Sequence, residues 1–294
     1  LDRKKQSLTR RLFQAAFFAL TNGYVRGFTE GKIYKGSLKR LCVPGLNCYS
    51  CPGALGSCPI GSLQAVLDGG KFRFSAYVLG FLMAFGTLFG RLVCGWMCPF
   101  GLVQELLHKI PFPKKRRNLP GHRVLVYLKY LVLVLFVIVL PLGIRDRFGL
   151  GKPWFCALLC PSGTLFAGIP LLLKNPAMHQ TLGGLFALKL SLLLLFLLLS
   201  VLTYRPFCKY VCPLGAFYGC FNRVSVSRMR VDPEKCTRCG ACRAACGMDV
   251  KVWESPNHAE CIRCGACKAA CPEGAITSTF DELRASYKKR TAKE

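Results

Sequence analysis

The sequence predicts an α-helical integral membrane protein of about four transmembrane helices with duplicated Cys-Pro-x-Gly repeats, followed by a small C-terminal α+β domain. Three observations carry this. Of 294 residues, 52 % are hydrophobic and only 19 % charged, with a mean hydropathy of +0.34, too apolar for an ordinary soluble domain. Cys-Pro-x-Gly recurs at Cys58, Cys98, Cys160 and Cys212, the mark of a duplicated architecture. Near the C-terminus, eight cysteines stand in two evenly spaced runs of four.

The spans follow from length, because a helix rising 1.5 Å per residue needs about 20 apolar residues to cross the hydrocarbon core. Val124 to Ile144 and Gly183 to Tyr204 are almost pure Leu, Val and Phe, each with one lysine near an end. Lys129 and Lys189 are expected to snorkel to the interface. Phe74 to Val93 is a third span, in which Gly80, Ala84 and Gly86 would admit a close neighbouring helix. Leu12 to Phe28 is the weakest, interrupted by Asn22, Gly23 and Arg26. The basic start, Leu1 to Arg11, does not read as a cleavable signal peptide.

Basic residues orient these spans. Residues 1–11 and 107–123 carry five and six Lys or Arg, denser than the seven in 26–73 or the four in 145–182. By the positive-inside rule both termini and the loop around 94–123 are cytoplasmic. The formal charge of +27 is spread along membrane flanks and not gathered on one soluble face. That distribution argues against nucleic acid and for an anionic lipid surface.

Nineteen cysteines require a chemical explanation, and their spacing points to metal. Three of the four repeats have a second cysteine four residues upstream: Cys94, Cys156 and Cys208; before Cys58 the nearest is Cys51. On the predicted topology, Cys94, Cys98, Cys208 and Cys212 form an inner set of four, and Cys51, Cys58, Cys156 and Cys160 an outer one. A tetrathiolate set is what a [4Fe-4S] cluster requires. Proline suits the first turn of a helix and glycine permits close backbone approach, which would set a cluster over free N–H groups. Zinc on the same sulfurs, or disulfides on the outer face, are the competing readings. Cys42 and Cys48 are left over outside, as a disulfide or as substitutes for Cys51, and Cys220 reads as a small buried residue.

The C-terminal runs, Cys236, Cys239, Cys242 and Cys246, then Cys261, Cys264, Cys267 and Cys271, follow the C-x2-C-x2-C-x3-C pattern of bacterial two-[4Fe-4S] ferredoxins twice. There the fourth cysteine of each run serves the other cluster, so Cys236, Cys239, Cys242 and Cys271 form one set and Cys261, Cys264, Cys267 and Cys246 the other. Four clusters are thus expected. The domains read as 1–223 in the membrane, 224–280 of ferredoxin type and 281–294 a basic tail.

The segment Gly90 to Gly101, the later Cys208 to Pro213 and the double ferredoxin run resemble the membrane polyferredoxins typified by the quinol-dehydrogenase membrane subunit of periplasmic nitrate reductase and the membrane half of the nitrous-oxide-reductase regulator. The resemblance implies an inner-membrane electron carrier linking quinol or a cytoplasmic donor to an external reductase or flavoprotein, within a multisubunit complex. The cysteine-rich outer face departs from that pattern and would extend a route across the membrane.

Other redox apparatus is not indicated. The histidines, His108, His122, His179 and His258, lie outside the confident spans, and C-x-x-C-H and G-x-G-x-x-G are lacking. Candidate acid–base groups are sparse: Glu105 and Asp68 could take quinol protons, although an interfacial carboxylate beside basic residues is the commoner reading of each. The expected function is therefore electron transfer, with no catalytic residue in the chain, from a cytoplasmic low-potential donor to an extracytoplasmic acceptor. Quinol oxidation feeding an external reductase and a cluster-bearing redox regulator are the alternatives.

Overall fold

The computed structural model describes residues 3–68, 72–144 and 152–291, excepting the side chains of 3, 68, 72–75, 181 and 289; the Asp68 side chain lies outside the described residues. The chain is mostly helical. Two helices, His122–Gly143 and Gly184–Leu202, are long and apolar enough to cross a membrane, and Ala76–Phe89 is a shorter apolar helix.

The first predicted span is shifted. A helix runs Arg3–Thr21 and stops at Asn22-Gly23, where the Asn22 amide donates back to the Phe18 carbonyl at 3.1 Å; a separate short helix follows at Val25–Glu30. Midway along the long helix Phe13 packs edge-on to Trp96, and near its end Phe18 meets Phe166 at 5.4 Å between ring centroids.

Each Cys-Pro-x-Gly repeat opens a helix with proline at its first position: Pro59–Asp68, Pro99–His108, residues 161–174 and Pro213–Phe221. Proline fits there because its missing N–H would have no intrahelical partner in the first turn. The helical run over 161–174, read from the sequence as outer loop, is such an element.

The ferredoxin-type segment contains a two-stranded antiparallel ribbon, Met229–Val231 against Ile276–Ser278, in register Met229↔Ser278. It encloses the short helices Ala241–Ala245 and Ala266–Ala269. Arg228–Thr279 contacts close the ribbon, and the basic tail begins as a helix, Thr279–Thr291, whose Asp281 pairs with Lys268.

The segment packs against the helices that carry Cys94 and Cys212. Asn222 donates to the Cys261 carbonyl at 2.8 Å, and the Trp96 indole N–H to the Arg263 carbonyl at 3.1 Å. A Cβ on Gly95 would overlap the Ile262 carbonyl, so the two backbones meet only because residue 95 has no side chain. Lys129 corrects the snorkelling expectation: it is fully buried and paired with Glu260, which also takes Arg91 Nη1 at 2.7 Å. A carboxylate contributed from elsewhere in the chain makes outward escape of the ammonium unnecessary.

Candidate functional site: four sets of cysteines

The inner set is assembled from two copies of one pattern, Arg-x2-Cys-x3-Cys-Pro-x-Gly, beginning at Arg91 and at Arg205. Cys94, Cys98, Cys208 and Cys212 are all buried and lie within electrostatic range of one another. The copies interlock. Arg91 Nη2 donates to the Cys208 carbonyl at 3.1 Å, and Arg205 Nη1 to the Cys94 carbonyl at 2.5 Å. The repeat glycines make room for this, since a Cβ on Gly101 would stand 2.9 Å from Arg205 and one on Gly215 3.2 Å from Arg91.

Both guanidinium groups are neutralised by buried carboxylates. Arg205 meets Glu105 Oε1 at 2.8 Å, while Arg10 grips the same carboxylate with two bonds of 2.7 and 2.6 Å, and the Tyr204 hydroxyl adds another. Burial alone would raise the Glu105 carboxyl, but Arg205 and Arg10 outweigh it and hold its pKa at about 2. Glu260 is likewise held at about 2, its burial outweighed by Arg91 and Lys129. A carboxylate this acidic is a weak base near neutrality, so Glu105 is not poised to accept quinol protons.

The outer set differs from the expected one at a single position. Cys48, Cys58, Cys156 and Cys160 line one cavity of about 660 Å³ and lie within electrostatic range of one another. Cys51 is not on that cavity. It is completely buried beside Ala54 and Ala167, because the Cys48–Cys51 turn, closed by Cys51 N–H to the Cys48 carbonyl at 3.0 Å, turns the two sulfurs to different surroundings. Cys42 faces a third way, with Ser57 Oγ donating to its sulfur at 3.8 Å; Cys42 and Cys48 are free thiols. A π-helical turn, Phe155–Leu159, leads into Cys160. Cys220 is exposed on its helix, not buried as the sequence suggested.

In the fourth repeat the sulfur of Cys212 caps its helix, accepting a hydrogen bond from the Gly215 backbone N–H at 3.4 Å. A Cβ on Gly163 would stand 3.5 Å from Cys48 Sγ and one on Gly61 3.6 Å from Cys156 Sγ.

In the ferredoxin-type segment, Cys246, Cys261, Cys264 and Cys267 lie within electrostatic range of one another, and Cys236, Cys239, Cys242 and Cys271 line a second pocket. Gly240 and Gly265, after the second cysteine of each run, have φ of +79° and +76°, a backbone glycine adopts without strain. Among the described residues no three His, Cys, Asp or Glu groups converge closely enough for a single metal ion. Sulfurs gathered in fours, two of the sets lining open space and backbone N–H groups reaching Cys212 and Cys246 at 3.4 and 3.5 Å, fit a polynuclear iron–sulfur cluster, whose ligands stand around a body larger than one ion.

The arginines and two glutamines, Gln64 and Gln104, were not singled out in the sequence. Their signal was available in the repeats: arginine three residues before Cys94 and Cys208, and Cys-Pro-x-Gly-x-x-Gln from Cys58 and from Cys98.

Comparison with known proteins agrees with this geometry. Residues 74–120 and 185–231 each match one 4Fe-4S binding domain family, and residues 229–251 and 255–277 each match another. The chain is 30 % identical over 223 residues to the protein MJ0749 of Methanocaldococcus jannaschii, covering 74 % of this chain and 72 % of that one. It is 27 % identical over 253 residues to the methylamine utilization ferredoxin-type protein MauN of Paracoccus denitrificans, covering 84 % and 77 %. It is 25 % identical over 188 residues to the ferredoxin-type protein NapH of Haemophilus influenzae, covering 61 % of this chain and 55 % of that protein. No solved structure matches the chain. By these domains and relatives, the chain belongs to the polyferredoxin family of ferredoxin-type, 4Fe-4S-binding electron-transport proteins.

Proposed function

We propose that the chain is a membrane-integral subunit that carries electrons from a cytoplasmic low-potential donor, across the membrane, to an extracytoplasmic redox partner such as a reductase or flavoprotein. In this reading four spans place both termini and the ferredoxin-type segment inside. Cys236, Cys239, Cys242 and Cys271, then Cys246, Cys261, Cys264 and Cys267, hold the two soluble-side clusters; Cys94, Cys98, Cys208 and Cys212 hold the inner membrane cluster. Cys48 takes the place of Cys51 beside Cys58, Cys156 and Cys160 in the outer one. When bound, a [4Fe-4S] cluster supplies a centre that accepts and releases an electron at a potential set by its surroundings.

One observation carries this reading. The loop bearing the outer cysteines turns inward until a Cβ on Gly45 would stand 3.4 Å from the Cys98 Cα. Cys48 is three residues further on, and three residues reach about 11 Å at most. The hydrocarbon core is about 30 Å thick. An inward loop of this kind removes most of that separation, and irregular backbone is tolerated at such depth where protein buries it. Leu46 and Asn47 are both buried.

The test replaces Cys94 and Cys208 with serine in sealed, oriented vesicles, with an impermeant low-potential reductant on the ferredoxin side. The ferredoxin-type clusters should still be reduced and the outer site should not. Outer-site reduction at the parental rate would refute transfer through the inner set.

Quinol oxidation is favoured by a different feature, a cavity of about 470 Å³ whose lining joins apolar Phe13, Phe89, Leu92 and Trp96 to charged residues such as Lys268 and Asp281. Reduction of the clusters by added quinol, without any low-potential donor, would select that reading.

A further inference from the structure

The two membrane sets share a device that neither the cysteine pattern nor electron transfer as such requires. Gln64 and Gln104 follow the repeat glycine by three residues, and both are buried, at 1 % and 0 % exposure. Gln104 Nε2 donates to Cys208 Sγ at 3.2 Å and to the Phe100 carbonyl at 3.3 Å, while its Oε1 accepts from Phe207 N–H at 3.2 Å. Gln64 repeats all three bonds: Nε2 to Cys156 Sγ at 3.4 Å and to the Ile60 carbonyl at 3.2 Å, and Oε1 from Phe155 N–H at 3.0 Å. In each case a glutamine on the helix of one repeat holds the first cysteine of another, together with the phenylalanine before it.

The amide orientation is not arbitrary. A backbone N–H can only donate, so the atom facing Phe207 or Phe155 must be the amide oxygen, and the NH2 group must face the sulfur. One amide proton goes to the carbonyl four residues back and the other to the cysteine. Every hydrogen-bonding group of the side chain that these contacts engage is thereby fixed, in a dry setting where a donor aimed at a thiolate counts for more than in water.

We propose that Gln64 and Gln104 are positioning residues that raise the reduction potentials of the outer and inner membrane clusters, each acting on its own site through a ligand sulfur. An electron added to a cluster increases the negative charge on its sulfurs, and a fixed N–H donor stabilises that charge more than it stabilises the oxidised form. The same bond on both sites shifts their potentials in the same direction, so it does not set one site against the other as an electron trap. This rests on the cluster assignment under Proposed function.

The test uses the full-length, anaerobically purified protein, with iron analysis and potentiometric titration followed by EPR. Gln104→Met removes the donor at nearly constant length, and Gln104→Glu keeps an oxygen for Phe207 N–H while replacing the donor with negative charge. With iron content at the wild-type level, Gln104→Met should make the inner site about tenfold less reducible, a fall of about 59 mV for a one-electron couple, and Gln104→Glu should lower it further. Gln64 variants should do the same to the outer site alone, and the ferredoxin-type pair should not move in either case. Unchanged midpoints in loaded variants, a shift in the wrong site, or loss of iron in both substitutions at a position would overturn the inference, the last by reducing the glutamine to an assembly role. Wild-type protein with only about 8 irons, the content of two cubanes, would instead refute the membrane cluster assignment itself.

Discussion

The Tyr218 hydroxyl donates a 3.2 Å hydrogen bond to the Pro44 carbonyl, which ties the loop that leads to Cys48 to the helix that begins at Cys212 and Pro213. Tyr218 is fully buried and lies within electrostatic range of Cys94 and Cys98 on one side and of Cys58 on the other. Tyr218→Phe leaves the buried Pro44 carbonyl without this donor, at a cost of about 1–3 kcal/mol. The loop should loosen without loss of either cysteine set. The expected result is wild-type iron content, slower reduction of the outer site in oriented vesicles, and a lowered Tm. An unchanged transfer rate would mean that the Tyr218 contact does not govern coupling between the two sets.

Cys48 and Cys51 offer a direct comparison, since they are three residues apart and the structure gives them different surroundings. Cys48→Ser should remove one cluster, taking the iron content from about 16 to about 12 per chain. Cys51→Ser changes a fully buried sulfur packed against Ala54 and Ala167, so it should cost stability and leave the iron content at about 16. The opposite pair of iron contents would restore Cys51 as the ligand.

That comparison shows what sequence spacing can and cannot carry. The ferredoxin runs were legible because C-x2-C-x2-C-x3-C is local: the first three cysteines of each run stand at one site and the fourth reaches the other. The inner set was legible because both halves repeat one pattern around Cys94 and Cys208. Cys48 was not, because the choice depends on which way one turn presents its sulfurs. Lys129 was misread for a related reason: its partner Glu260 lies 131 residues away, and no periodicity in a span announces a carboxylate from another segment. The helix over 161–174 was hidden among the outer residues, although its Cys160-Pro161 start carried the same signal as the others.

Acid should dissolve the Glu105 cluster only at extreme pH. Its folded pKa of about 2 lies below the ordinary value of 4.5, so its ion pairs with Arg10 and Arg205 contribute fully above about pH 4.5 and are lost as pH falls toward 2. Between pH 5 and 8 the carboxylate should stay ionised. Infrared difference spectra of wild type against Glu105→Gln should show no carboxyl protonation on cluster reduction in that range. A Glu105 carboxyl band appearing on reduction would reinstate this residue as a proton acceptor. In Glu105→Gln itself, two buried guanidinium groups lose their counter-charge, and destabilisation of about 3–5 kcal/mol is expected from thermal or denaturant unfolding.

Glu260 links the ferredoxin-type segment to the helices: its carboxylate accepts from Arg91 Nη1 at 2.7 Å and pairs with Lys129. Both cations are fully buried, one just before Cys94 and the other within the His122–Gly143 helix, so this single carboxylate joins the segment to two parts of the helical body. Glu260→Gln keeps shape but leaves two uncompensated buried charges, a loss of about 3–5 kcal/mol. Lys129→Met alone removes one of those charges and keeps the Arg91 pair, so its cost should be smaller. Combining Glu260→Gln with Lys129→Met should recover part of the stability lost in Glu260→Gln, because only Arg91 is then unpaired. The measurement is the protease sensitivity of the stretch around Val224 and Val226, whose side chains are exposed on either side of buried Ser225 and which leads into the segment, together with Tm in detergent. Cleavage should accelerate in Glu260→Gln and slow again in the double variant. Equal cleavage in all three proteins would show that the Asn222 and Trp96 contacts suffice to seat the segment without the ion pairs.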